Sequence, residues 1–133
     1  MTTGAVFNHG KHRRDFTYVD DIVEGVVRAL DRPAQANPAW NSLHPDPGSS
    51  SAPWRVYNIG NNHPVSLDDF VAAIEKALGK RARLELMPLQ AGDVPDTAAD
   101  IEGLKSELNY QPRIQIDEGV GRFVDWYRHY FGN

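Results

Sequence analysis

This sequence predicts a small mixed α/β fold in which helices outnumber a few short strands. Three observations carry the prediction. Apolar residues recur at helical spacing in several separate stretches, while only brief segments show the alternation or β-branching of strands. The first helical stretch arrives after only about 20 residues of strand-poor sequence, and the strands are too few for an independent doubly wound sheet. At 133 residues the chain has the length of one ordinary domain, spanning residues 1–133, with a core of its own.

Taken in order, FTYV (residues 16–19) is aromatic and β-branched and predicts an extended segment. Asp20 or Asp21 is expected to cap a first helix reaching about Leu30, with Asp21 and Glu24 at capping-box separation. Ile22, Val23, Val26, Val27 and Leu30 recur there at helical spacing, and Pro33 sets the limit because the residue before a proline avoids the helical region. Residues 32–53 are dense in proline, serine and small polar residues and predict one long loop. Loops beyond about 15 residues are usually functional or mobile. WRVYNIG (54–60) predicts a strand ending at Gly60, where backbone can turn sharply or approach a ligand. Ser66 is expected to cap a second helix with Asp69 at its third position, an apolar face of Leu67, Phe70, Val71, Ile74 and Leu78, and Gly79 as its stop. RLELMPL (83–89) alternates as a strand. QAGDVPDTAAD (90–100) is a polar connection longer than joining alone requires, of the kind that α/β folds use as a ligand loop. Asp100 is expected to cap a short helix carrying Ile101, Leu104 and Leu108. A last helix from about Asp117 to Phe131 sets Val120, Phe123, Val124, Tyr127 and Phe131 on one side.

Composition excludes several function classes. Net charge is −4 with a pI near 5.7, so the basic footprint of non-specific nucleic-acid binding is missing. The absence of cysteine removes disulfides, thiolate zinc sites and cysteine nucleophiles, and suits a reducing compartment. No apolar run approaches the ~18 residues of a membrane span, and MTTGAVFNHG lacks the regions of a signal peptide. The expected location is cytoplasmic. G-x-G-x-x-G, P-loop, H-E-x-x-H and G-x-S-x-G patterns are all missing, and EGVGRF, with two glycines, falls inside a predicted helix. His9 and His12 lack further ligands at metal-binding spacing. Asp20/Asp21 and Asp68/Asp69 stand at helix starts, where capping and the helix dipole account for them.

One cluster invites a functional reading. His9, Lys11, His12, Arg13 and Arg14 crowd around Gly10 in an otherwise acidic chain. Arginine offers a planar fork that can hold two phosphate oxygens, and a helix N-terminus follows shortly after. A solvated turn and a seat for phosphate both accommodate the pattern.

RRDFTYVDDIVEGV, YNIGNNHPVSL, MPLQAGDVPDTAAD and NYQP with EGVGRFVDWYRHYF, in that order, resemble the C-terminal part of extended short-chain dehydrogenases/reductases. They are most similar to the nucleotide-sugar epimerases that interconvert UDP-glucuronate and UDP-galacturonate. The resemblance implies the smaller substrate-binding lobe, without the Rossmann domain that binds NAD. It implies that Arg14, the arginine of the R-D-F motif, reaches the UDP phosphates. Gln90, two before the glycine of the G-D pair, and Asp93 of that pair are implied to lie at the nucleotide. Thr97 takes a position where certain relatives place a tyrosine. The family's catalytic tyrosine belongs to a Y-x-x-x-K motif, and no tyrosine here has a lysine four residues on. The expected function is therefore UDP-sugar binding within an NAD-dependent nucleotide-sugar epimerase, UDP-glucuronate 4-epimerase by closest resemblance, with no catalytic or NAD-binding residue in this chain and no turnover by it alone. Alternatives are a freestanding UDP-sugar-binding module and a self-associating structural remnant. A homodimer, or association through the surface a missing Rossmann domain leaves, is the expected partnership besides the UDP-sugar.

Overall fold

The structure is a computed structural model that describes residues 3–132. Its elements run β1 (Gly4–Val6), a 3-10 turn (Phe7–Gly10), β2 (Arg13–Arg14), α1 (Val19–Asp31), β3 (Val65–Ser66), α2 (Leu67–Leu78), β4 (Leu84–Leu86), α3 (Glu102–Leu108) and α4 (Ile116–Phe131). Two small sheets form. β1 runs parallel to β4, with Gly4 opposite Leu84, and β2 runs antiparallel to β3, with Arg13 opposite Ser66. The mixed fold of helices on few, short strands is the one the sequence predicts.

α2 follows its local sequence closely. Ser66 Oγ accepts from the Asp69 N–H at 3.0 Å, and Gly79 closes the helix in the left-handed region at φ 66°. Its inner side packs against α4, where Ala73, Val120 and Val124 are buried with Phe70, Ile74 and Leu78 around them. A second cluster gathers Ile101, Leu104, Leu108 and Tyr110 beneath Ala29, Tyr57 and Ile59. Asp100 caps α3 as expected in chemistry, its Oδ1 accepting from the Glu102 N–H at 3.0 Å, although the helix begins one residue later than the cap spacing implies.

α1 departs from its sequence pattern in two ways. The helix starts after Tyr18, and neither Asp20 nor Asp21 caps it. Asp21 is 3% exposed and accepts from the backbone N–H groups of Arg113 (3.1 Å) and Ile114 (2.9 Å), so a long-range use of the carboxylate overrides the local one. Glu24 pairs with Arg28 instead of completing a capping box. Second, the buried side of α1 is built from Asp21 and Gly25, while Val19, Val23, Val26, Val27 and Leu30 are each about half exposed or more. These five lie on one arc of the helix at 100° per residue, so the apolar stripe faces outward. Gly25 is needed where it sits: a Cβ there would meet Ile59 Cδ1 at 3.2 Å and the Tyr110 ring at 3.4 Å.

Two expected strands do not form. Residues 15–18 are unpaired, and Phe16 stacks on Phe70 with centroids 4.3 Å apart. WRVYNIG has only an isolated bridge from Ser49 to Arg55, because no neighbouring strand lies alongside it. Tyr57 and Ile59 pack inward while Trp54 and Val56 remain exposed. RLELMPL pairs only over Leu84–Leu86. The long loop is tied down by polar bonds: Arg55 bridges Asp46 and Glu107, Tyr57 donates to Glu107 at 2.7 Å, and Asn37 donates to Ser49 Oγ at 3.0 Å. The Arg55 guanidinium, bonded to it, holds the Glu107 carboxyl below its usual range.

The Asp15 carboxylate links three segments. It accepts from the backbone N–H groups of Asn62 (3.0 Å), His63 (3.2 Å) and Ala99 (3.0 Å). Gly60 passes so close that a Cβ would sit 2.4 Å from the Ala99 Cβ and 2.7 Å from Asp15 Oδ2, so its missing side chain serves an internal approach. Gly60→Ala is expected to destabilise the fold by about 1–3 kcal/mol, the usual cost of overpacking, in urea unfolding. Burial, reinforced by the charges of Asp21, Glu24 and Asp15, pushes the Tyr110 phenol up to about 12. The folded state thus keeps a proton that the unfolded chain releases near 10. The resulting stability is complete below pH 10 and is lost as pH rises towards about 12. Tyr110→Phe is expected to flatten that alkaline loss in denaturation measured across this range.

Candidate anion-binding site

Backbone pairing places the basic cluster. Arg13 and Arg14 lie against Ser66 and Val65 on one side. On the other, the Arg13 N–H donates to Pro95 O at 2.9 Å and its C=O accepts from the Thr97 N–H at 3.1 Å. The Arg13 side chain is spent on the Pro64 carbonyl at 3.0 Å. The pair of arginines is thus a short strand between β3 and the 95–97 segment, and not a free turn.

Arg14 is the arginine whose head group faces the polar loop. Its Nη1 donates to Arg13 O and Pro95 O, each at 2.9 Å, and its Nη2 donates to Asp93 Oδ1 at 3.2 Å. The side chain is still 28% exposed. Asp93 closes a turn in which its N–H donates to Gln90 O at 3.2 Å, with Gly92 at φ 86°, a region that favours glycine. Asp93 Oδ1 also accepts from the Val94 N–H at 2.9 Å, which orients the carboxylate towards Arg14.

Of the residues singled out from sequence, Arg14 and Asp93 are in direct contact. Gln90 stands exposed at the far end of the same turn, and Thr97 joins through its backbone beside Arg13. Lys11 and His9 are exposed. His12, a member of the basic cluster expected to be peripheral to the phosphate seat, is instead 5% exposed with Nε2 3.3 Å from Asp93 Oδ2. Sequence reasoning missed Asp15, next to Arg14, whose role needs three segments distant in sequence.

The arrangement presents a partly exposed guanidinium held in place beside a carboxylate and a buried imidazole. The guanidinium is oriented before any ligand arrives, so little side-chain freedom is lost on binding. An apolar hollow of about 560 Å³ lies elsewhere, between α2, α4 and residues 16–18, and its lining has no charged side chain. Among the described residues no three His, Asp or Glu side chains gather as metal ligands. Neither immediate strand-to-helix junction, Asp15–Tyr18 after β2 nor Ser66–Leu67 after β3, contains a glycine. Such a glycine turn is what gives a dinucleotide pyrophosphate its close backbone approach. No helix of the described residues is long and apolar enough to cross a membrane.

Comparison with known proteins gives the family. The family model described as GDP-mannose 4,6 dehydratase matches residues 3–123. Protein CapI of Staphylococcus aureus is 54% identical over 126 residues, covering 95% of this chain and 38% of that protein. The probable UDP-glucuronate 4-epimerase of Rhizobium meliloti is 41% identical over 92% of this chain and 36% of its own length. Among solved structures, UDP-glucuronic acid 4-epimerase from Bacillus cereus in complex with UDP-glucuronic acid and NAD superposes with a TM-score of 0.74 at 27% identity, over 95% of this chain and 35% of that one. This chain therefore spans little more than a third of the length of these relatives. It belongs to the nucleotide-sugar epimerase/dehydratase family of extended short-chain dehydrogenases/reductases and corresponds to the C-terminal part of its members.

Proposed function

We propose that this chain is the UDP-sugar-binding lobe of an NAD-dependent nucleotide-sugar 4-epimerase acting on UDP-glucuronate, and that Arg14 donates to the diphosphate. The observation that carries the reading is the Arg14 guanidinium, pinned by Pro95 and Asp93 yet more than a quarter exposed. Gln90, exposed at the end of the same turn, and Thr97, paired by backbone with Arg13, add hydrogen-bonding groups suited to the nucleotide. Asp93 acts here as the group that aims Arg14, since a carboxylate facing a phosphate would be repelled. NAD, when bound by a full-length member, supplies the hydride acceptor. This chain by itself binds without turning over, because it has no Y-x-x-x-K tyrosine to take the sugar hydroxyl proton.

A second reading has one observation in its favour. The outward Val19, Val23, Val26 and Leu30 of α1, with Phe123, Trp126 and Tyr130 of α4, form exposed apolar surface of the kind that drives association. A sedimentation mass that climbs with protein concentration supports a self-associating chain, and a constant monomer mass removes that reading.

For the binding reading, titration with UDP is followed by backbone amide shifts. Saturable changes grouped at Arg14 and Gln90–Asp93 are expected. Arg14→Ala is expected to weaken UDP by about tenfold or more, as loss of a charged hydrogen bond does, and Lys11→Ala by less than about threefold. Equal losses in the two variants would show diffuse electrostatics and overturn the assignment to Arg14.

A further inference from the structure

The buried imidazole of His12 has no part in the reading above. Its Nε2 is shielded from solvent and makes no hydrogen bond. The Asp93 Oδ2 atom lies 3.3 Å from it, near enough for an ionic contact but off the line a hydrogen bond requires. The other oxygen of that carboxylate accepts from Arg14 Nη2. One carboxylate therefore stands between a guanidinium and a ring that gains a charge on protonation.

We propose that His12 is a positioning residue for the anion site: when protonated, its imidazole draws on the Asp93 carboxylate and offsets the negative charge that faces an arriving diphosphate. The inference rests on the binding role of Arg14 given above. With His12 neutral, the charges of Arg14 and Asp93 cancel, and an anion meets a site of no net charge. With His12 protonated, the same three groups sum to one positive charge. An imidazolium beside Oδ2 also competes with Arg14 for the carboxylate, which leaves Nη2 freer to turn to a phosphate oxygen. By linkage, a bound diphosphate makes His12 harder to deprotonate.

The position of the ring is set by backbone. The His12 C=O accepts from the Leu67 N–H at 2.9 Å, which holds it at the start of α2. The other charged groups nearby are Lys11, Arg13 and Arg14 on its own segment and Asp93 and Asp96 on the facing loop. Asp68 at the start of α2 has an Oδ1 that would lie 2.8 Å from a Cβ on Gly10. Histidine is the side chain that ordinarily titrates between about pH 5 and 8, and the exposed His9 is the neighbouring control.

The test is titration of the whole chain with UDP-glucuronate, whose diphosphate diester has no proton to lose where imidazole titrates, read by amide shifts at about pH 5.5 and about pH 8. Wild-type protein is expected to bind about fivefold more tightly at the acid end, the scale of one added charge near the site. His12→Gln, which keeps a donor near the Nε2 position, is expected to bind with no such slope, while His9→Gln retains it. A slope that survives in His12→Gln, or a flat wild-type profile with binding intact, overturns the role of His12 and leaves that of Arg14 standing. No binding by wild-type protein at either pH overturns both. Proton uptake on binding of UDP-glucuronate at about pH 6.5, measured by calorimetry in buffers of different ionisation enthalpy, is expected in wild-type protein, and its absence overturns the proposal even if His12→Gln does not fold.

Discussion

A single carboxylate holds the site end of this molecule together. Asp15 gathers the N–H groups of Asn62, His63 and Ala99, which belong to two segments far apart in sequence. Left without that acceptor, these donors would need water in a place where Gly60 and Ala99 already crowd the carboxylate. The next two residues upstream extend the same join. Arg14 reaches Pro95 and Asp93, and Arg13 pairs its backbone with Pro95 and Thr97. Residues 13–15 and 93–99 are therefore zipped along their length, and the direction of the Arg14 head group is a by-product of that zip.

Asp21 repeats the device for the other half. Its buried carboxylate caps the backbone at Arg113 and Ile114, just ahead of α4, as Asp15 caps the approach to α2. The two short helical layers, α1 with α3 and α2 with α4, share few apolar contacts, and these carboxylates supply part of the connection. Charge is thus used in the interior for its capacity to accept several N–H bonds at once.

What the sequence revealed depended on how local each decision was. Ser66, Asp69 and Gly79 act within one helix, and α2 was legible to the residue. Asp21 has the same local pattern as a capping box but is taken by a segment over ninety positions away, which no window of sequence displays. WRVYNIG has strand composition and no strand partner, so composition misled where pairing decides. β1 and β2 were invisible because two or three residues give no periodicity to read. At the site, Arg14 and the Gln90–Asp93 turn stood out through family resemblance. The burial of His12 against Asp93 did not, since it depends on where the 90–97 loop lies.

The parallel pairing of β1 with β4 also shapes how the chain folds. Gly4 meets Leu84, 80 positions on, and the intervening chain includes α1, the long loop and α2. Closing so large a loop for three residues of ladder is entropically unrewarding until the intervening structure has shortened the path. The join at Asp15 shortens that path, since it holds the chain just after β1 against the segment that follows β4. The basic segment belongs to that join through Arg13 and Arg14, and the 3-10 turn ties it directly to β1. The charged face and the β1–β4 ladder are thus closed by the same contacts, so that whatever loosens one loosens the other.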